Sequence, residues 1–241
     1  MKKAEIRSKY KIKKISQGRF MATAKGGTTG QACAAAAVSG DAAYACSLPD
    51  GRLAFILSDG MGKGMKAAAE SQAVVRKLSQ LLKKGVTPSR AIKMVNKELV
   101  GESVHSGSKN DIFATVDLAL IDKERGQAHF YKMGAASSYI IRNKSLRKIE
   151  HGALPIGIVD NVKARQMVIR LFPGDVLVMV SDGITEADRN DLEAKWLQSY
   201  LLEVEEDIGP RNMASQIANL AESKYSATKK DDISVIVLRI K

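Results

Sequence analysis

Five aspartates of this 241-residue chain stand where an apolar run meets a turn, a setting suited to a cation. Ser58-Asp59-Gly60 closes the run LAFIL, and Ser181-Asp182-Gly183 closes VLVMV. Asp231 and Asp232 lie side by side before ISVIVLRI, and Asp41 precedes the run AAYAC. Strand ends on one edge of a sheet lie close in space, so these carboxylates would repel one another unless a cation sat among them. Donor sets made only of oxygen suit hard ions such as Mg²⁺ or Mn²⁺. A glycine after the acid lets the backbone turn sharply and offer a carbonyl to the ion. Taken singly, Asp-Gly after a strand is also an ordinary turn signal. The repetition of Ser-Asp-Gly and the adjacent acids carry the cation reading. Two metals about 3.5–4 Å apart would activate a bridging water for in-line attack on phosphorus, with no protein nucleophile required.

Other motifs point elsewhere and are weaker. Cys46 and Arg52 have the C-x5-R spacing of a cysteine-phosphatase loop. Such a loop should cradle phosphate and open a helix; here it contains Pro49-Asp50-Gly51, opens a strand, and carries an acid that repels phosphate. Gly60, Gly62 and Gly64 lack the remainder of a nucleotide-binding fingerprint and read as room for backbone near a metal. His105, His129 and His151 show no metal-ligand spacing; His129 alternates into a strand, and His105 falls in a polar stretch expected to be a loop. Trp196 and Met94 fit helix faces and are expected in the core.

The elements that must hold the acids follow from periodicity. Residues 9–15 alternate partially and suggest a basic edge strand, and 24–30 (AKGGTTG) a loop. Residues 42–48 and 52–58 flank Pro-Asp-Gly and form a hairpin. A helix over 65–84 stops at Gly85, and a second over 88–100 opens with Thr87-Pro88 and buries Ala91, Ile92, Val95 and Leu99. Strands are expected at 112–121, 127–133, 138–142, 145–149, 165–171, 175–181 and 233–240, with helices near 191–203 and 211–225. Strands cluster as hairpins and helices come in pairs, which favours α+β with mainly antiparallel sheets. No linker or low-complexity segment interrupts the chain, so a single domain over 1–241 is expected, with residues 1–23 a basic strand or extension.

The bulk properties exclude several classes. No apolar run is long enough to span a membrane, and the N-terminus lacks a signal-peptide apolar region. Two cysteines, Cys33 and Cys46, fit a reducing cytoplasm. The net charge is +12, but residues 1–25 hold nine Lys or Arg against one acid, a net +8, leaving +4 for the remainder. No aromatic platform is interleaved with those bases, so nucleic acid is not an expected partner.

The stretches AKGG, SGD, SDGMGKGMKAAAES, TVDLALID, LPIGI, VMVSDGITEA and DDISVIVLRI span residues 24 to 240. In that order they resemble the metal-dependent Ser/Thr protein phosphatases (the PPM, or protein phosphatase 2C-like, family). Within that family the similarity is greatest to the branch containing the phosphatase domain of stage II sporulation protein E. The resemblance implies a four-layer α/β/β/α sandwich, two central mainly antiparallel β-sheets flanked by helices, with two Mn²⁺ or Mg²⁺ ions at one end. By position, Asp59 would bridge both metals and the Gly60 carbonyl would bind one. Asp41 would act directly or through water, and Asp182 and Asp231 would complete the second site. Asp232 stands where other branches carry Asn, as a ligand or beside the ligands. No arginine matches the phosphate-binding arginine of the eukaryotic enzymes; Arg19 and Lys25 are the nearest bases. The resemblance further implies hydrolysis of phosphoserine or phosphothreonine in a small anti-sigma-factor antagonist, in a sporulation or stress pathway. It also implies regulation through the helices at 65–84 and 88–100, with a regulatory domain or a second copy as partner. The rival readings are a phosphoprotein-binding pseudophosphatase and a cysteine phosphatase using Cys46.

Overall fold

The computed structural model describes residues 12, 14–22, 39–62, 64–105, 112–225 and 231–241. In chain order the strands are β1 (Ile15–Ala22), β2 (Asp41–Ser47), β3 (Leu53–Asp59), β4 (Val116–Asp122), β5 (Gln127–Met133), β6 (Ser138–Arg142), β7 (Ser145–Ile149), β8 (Met167–Arg170), β9 (Val176–Val180) and β10 (Ile233–Ile240). The helices are α1 (Met65–Lys83), α2 (Pro88–His105), α3 (Asp182–Thr185), α4 (Lys195–Glu203) and α5 (Pro210–Lys224). They form two compact units, each an antiparallel five-stranded sheet with its own helices, so the class is α+β as expected.

The first unit contains Gly40–Ala135 and His151–Leu171. Its sheet runs β2-β3-β4-β5-β8, with β3 and β4 interior. Every residue of β4 is buried, as are the five central residues of β3, which explains their near-continuous apolar sequence. Val74, Leu78 and Leu82 of α1 and Ile92, Val95 and Leu99 of α2 form one core with Ile56, Leu118 and Leu120 of the sheet. Gly85 ends α1 as predicted. Its N–H donates to the Leu82 carbonyl and that of Val86 to Leu81, while Gly85 takes φ 80, which spares a side chain the left-handed strain. The helix opened by Pro88 continues to His105, so His105 ends a helix and is not in a loop. Met94 lies on the outer face of α2 and is 45% exposed, contrary to the core position expected. One buried charge pair escaped the sequence reading. Asp117 and Lys132 are cross-strand partners in β4 and β5, with Lys132 Nζ 2.6 Å from the Asp117 carboxylate.

The second unit contains β1, Ala136–Glu150 and Phe172–Lys241, with the sheet order β1-β10-β9-β6-β7. Val178, Val180, Val235 and Val237 pack against Leu197 and Leu201 of α4 and Met213, Ile217 and Ala221 of α5. Trp196 is partly buried against this core, as expected. The basic strand expected at 9–15 overlaps β1, an edge strand of this sheet, at Ile15. Pairing with β10 sets β1 over Ile15–Ala22, and Ile12 and Lys14 lie outside it; residues 9–11 and 13 are outside the described residues. Lys14 exchanges two backbone bonds with Lys241, at 3.0 and 2.8 Å, in the same register. The 24–30 loop and Lys25 also fall outside the described residues. Among the described residues, no helix is long and apolar enough to cross a membrane.

Candidate functional site

In the first unit, antiparallel register sets Asp41, the first residue of β2, opposite Asp59, the last of β3. Asp41 is only 3% exposed and Asp59 is half-buried. Like charges placed directly opposite on neighbouring strands destabilise a sheet, and burial makes the repulsion worse. The turn after Asp59 is fixed by backbone bonds on both sides. The Asp59 N–H donates to Thr115 Oγ1 at 2.8 Å, and the Ser58 hydroxyl to the Thr115 carbonyl at 2.6 Å. The Thr115 N–H donates to the Asp59 carbonyl at 2.8 Å, the Met61 N–H to Phe113 at 3.2 Å and the Gly60 N–H to Gly40 at 3.2 Å. None of these bonds uses the Gly60 carbonyl. Gly60 lies so close to α1 that an added Cβ would sit 2.0 Å from the Ala67 carbonyl oxygen. Glycine is therefore required here by close packing of backbone on backbone.

In the second unit, Asp182 does not end its strand as the sequence suggested. The strand β9 stops at Val180, and Asp182 is the first residue of the four-residue helix α3. Ser181 stitches this turn to the start of β10. Its N–H donates to the Ser234 carbonyl at 3.0 Å, and its Oγ accepts the Ser234 N–H at 2.9 Å. An added Cβ on Gly183 would lie 2.0 Å from the Asp232 carbonyl oxygen, so this second Ser-Asp-Gly glycine has the same steric cause as the first. Asp231 Oδ1 accepts the Asp232 N–H at 3.0 Å, and Asp232 is buried. The Tyr225 hydroxyl donates to the Gly183 carbonyl. Burial, then the neighbouring charges of Asp231 and Asp182, hold its pKa far above the ordinary tyrosine value.

The structure thus brings Asp41, Asp59 and Gly60 together in the first unit, and Asp182, Asp231 and Asp232 in the second. Among the described residues, no three His, Cys, Asp or Glu side chains are already gathered as a metal site. The donors nevertheless fit hard divalent cations. They are carboxylates with an unspent carbonyl, and the buried Asp41 faces a second acid across the ladder. Arg19 lies in β1, with a side chain outside the described set.

The cysteine reading loses its physical basis. Cys46 and Arg52 belong to a hairpin in which Arg52 Nε and Nη2 donate to Asp50 Oδ2 at 2.8 and 2.6 Å. Burial pushes the Cys46 thiol above its ordinary pKa, with Lys83 opposing less strongly, so the reactive thiolate is disfavoured. Cys46 is therefore not expected to act as a nucleophile.

Asn96 and Tyr225 lie outside the motifs, while Thr115 and Glu70 lie within TVDLALID and SDGMGKGMKAAAES but carry no role there. Glu70 of α1 is 7% exposed, with Lys66 Nζ 3.9 Å away. Burial raises its carboxyl pKa, and Lys66 and the Met61 N–H lower it by less. The folded chain therefore holds this proton more tightly than the unfolded chain. The stabilising effect is fully present below the ordinary value of 4.5 and is lost as pH rises through the raised value. Glu70→Gln should raise the melting temperature of the metal-free protein at neutral pH, a gain that vanishes in acid; calorimetric melting across pH checks it.

The family model for stage II sporulation protein E (SpoIIE) matches residues 49–241. The chain is 33% identical to stage II sporulation protein E of Priestia megaterium over 210 residues, covering 84% of this chain and 34% of that protein. It is 26% identical to the phosphoserine phosphatase RsbU of Bacillus subtilis over 196 residues, covering 77% of this chain and 55% of that one. The chain therefore spans about a third and about half of the lengths of these relatives. Among solved structures, the PP2C phosphatase domain of SpoIIE from Bacillus subtilis, with a fragment of its regulatory domain, superposes with a TM-score of 0.81 at 30% identity. That match covers 96% of this chain and 64% of the other.

Proposed function

The chain belongs to the stage II sporulation protein E family, and on that premise we propose that it is a metal-dependent protein phosphatase acting on phosphoserine or phosphothreonine. The observation that supports this most directly is the register of Asp41 against Asp59, with the Gly60 carbonyl unspent beside them. Asp41, Asp59 and the Gly60 carbonyl would hold metal from the first unit, and Asp182, Asp231 and Asp232 from the second. Two Mn²⁺ or Mg²⁺ ions, when bound, would lower the pKa of a bound water and neutralise charge on the phosphoryl oxygens. The chain's own part is to fix the donors. Thr115 clamps Asp59 from both sides, and Ser181 ties the Asp182 turn to β10. No side-chain nucleophile is invoked, in keeping with the raised thiol of Cys46. We read both units as parts of one phosphatase domain, since the family match runs from 49 to 241 through both.

The proposed substrate is a small phosphorylated anti-sigma-factor antagonist in the cytoplasm, with a regulatory domain or second copy as partner. The similarity to a protein named phosphoserine phosphatase supports this. Phosphate release from such a phosphoserine protein, measured with Mn²⁺, with EDTA, and with Mn²⁺ restored, tests the reading. Activity that requires Mn²⁺ and returns with it is expected. Activity that survives EDTA would overturn the metal chemistry, and binding of the phosphoprotein without turnover in Mn²⁺ would identify a pseudophosphatase.

A further inference from the structure

We infer that Asn96 is a positioning residue for the Asp59–Gly60 turn, acting through the surface loop at 156–160. The importance of that turn rests on the metal reading above; the placement by Asn96 rests on geometry alone. Asn96 lies in the middle of α2 and is fully buried, at 0% exposure. Its amide nitrogen donates to the carbonyls of Val159 at 2.8 Å and Asp160 at 3.0 Å, and its amide oxygen accepts the Gly157 N–H at 2.9 Å. One buried side chain thus makes three bonds to a loop more than sixty residues away.

Among the described residues the loop has little else to hold it. Ile156 and Val162 are buried at its ends, while Ile158, Val159 and Asp160 between them are exposed. Gly157 has φ 98 and leaves space for no side chain, since a Cβ would lie 2.2 Å from the Ile112 carbonyl oxygen. A glycine in that conformation has much freedom to lose on ordering, so fixed bonds are needed to keep it in place. Asn96 supplies them, and α2 is a rigid base for the amide.

The bonds continue inward. Next to Gly157, Ile156 exchanges two backbone bonds with Ala114, at 3.1 and 3.0 Å. On the opposite side, the neighbours of Ala114 bond to the turn: the Phe113 carbonyl takes the Met61 N–H, and the Thr115 N–H reaches the Asp59 carbonyl. Residues 156, 114 and 60 therefore lie side by side on three adjoining segments joined by two bridges, with Asn96 fastening the outermost. A loosened outer segment leaves the middle one paired on one side only, and the middle segment sets the direction of the Gly60 carbonyl.

Two substitutions separate this role from bulk stability. Asn96→Leu keeps the branched outline, with some added bulk, and removes all three bonds. Asn96→Asp keeps the acceptor for Gly157 and turns both donations into oxygen–oxygen repulsion. Leu82→Ala, in the core at the far end of α1, is the control for general destabilisation. Amide hydrogen exchange on the metal-free chain should rise at Ala114, Thr115 and Met61 in both Asn96 variants and not in the control. Mn²⁺ titration calorimetry should show an affinity loss of about tenfold, the size expected when support behind a ligand is removed. Exchange at Thr115 and Met61 that stays at the control level, while Gly157 becomes labile, would overturn the inference. Should exchange respond while the unaltered chain binds no Mn²⁺, the placement by Asn96 stands and the metal reading of the turn falls.

Discussion

Replacing Asp59 by Ala is expected to cut phosphate release by about three orders of magnitude, since metal stabilisation of a transferring phosphoryl group is worth several kcal/mol. The same change should leave the metal-free fold nearly intact. Asp59 faces the buried Asp41 across the β2–β3 ladder. Its backbone anchors, through Thr115 and Gly40, use main-chain atoms of residues 59–61 and survive the substitution. The two effects are read together by turnover at saturating Mn²⁺ and by melting with and without the metal. Unaltered protein should gain melting temperature from Mn²⁺, by mass action on the folded state, and Asp59→Ala should lose that gain. Normal turnover in the variant would remove Asp59 from the site. A large fall in metal-free stability would show that the carboxylate is structural.

The second large effect is expected at Gly60. A methyl group there would lie 2.0 Å from the Ala67 carbonyl oxygen and 2.7 and 2.9 Å from two more backbone atoms of Ala67. Backbone in the first turn of a 19-residue helix cannot yield as a side-chain tip can, so α1 or the turn must shift as a unit. Overpacking of this kind costs about 1–3 kcal/mol or more, and the shift also displaces the Gly60 carbonyl. Gly60→Ala should therefore lose both stability and Mn²⁺-dependent turnover. Gly62→Ala is the informative companion. Nothing lies within 4 Å of its added methyl, but φ is 90, so backbone strain of about 1–2 kcal/mol is the whole effect. Urea melts and turnover of the two variants should separate clearly. Equal losses would show that conformation, and not contact with α1, governs the turn.

Much of this was legible from sequence because it depends on local pattern. Two apolar runs ending in Ser-Asp-Gly marked both acidic turns, and Gly85 and Pro88 marked the boundary between α1 and α2. The two Ser-Asp-Gly glycines have a further cause that the sequence does not carry. Besides allowing a sharp turn, Gly60 and Gly183 are required because another backbone lies against them, Ala67 in one case and Asp232 in the other. Close approach between remote segments leaves no periodic trace. The extent of β1 over residues 16–22 likewise follows from its register against β10. Asn96 did leave a signal, a polar residue beside Val95 on the stripe that α2 buries. What it fastens could be known only once residues 157–160 were in place.

The order of β10 in its sheet has a consequence for how the protein is made. This strand lies between β1 and β9, yet it leaves the ribosome after every other strand described. Until then β1 has no neighbour, and its eventual partner lies more than two hundred residues away along the chain. The first unit's sheet, from β2 to β8, can close while β10 is still unmade. Pairings so distant in sequence close slowly and leave strand edges open in the interval. During synthesis the Asp41–Asp59 pair should thus form first, with the Asp231 side waiting on the last strand. A pulse-labelled nascent chain should become protease-resistant in that order.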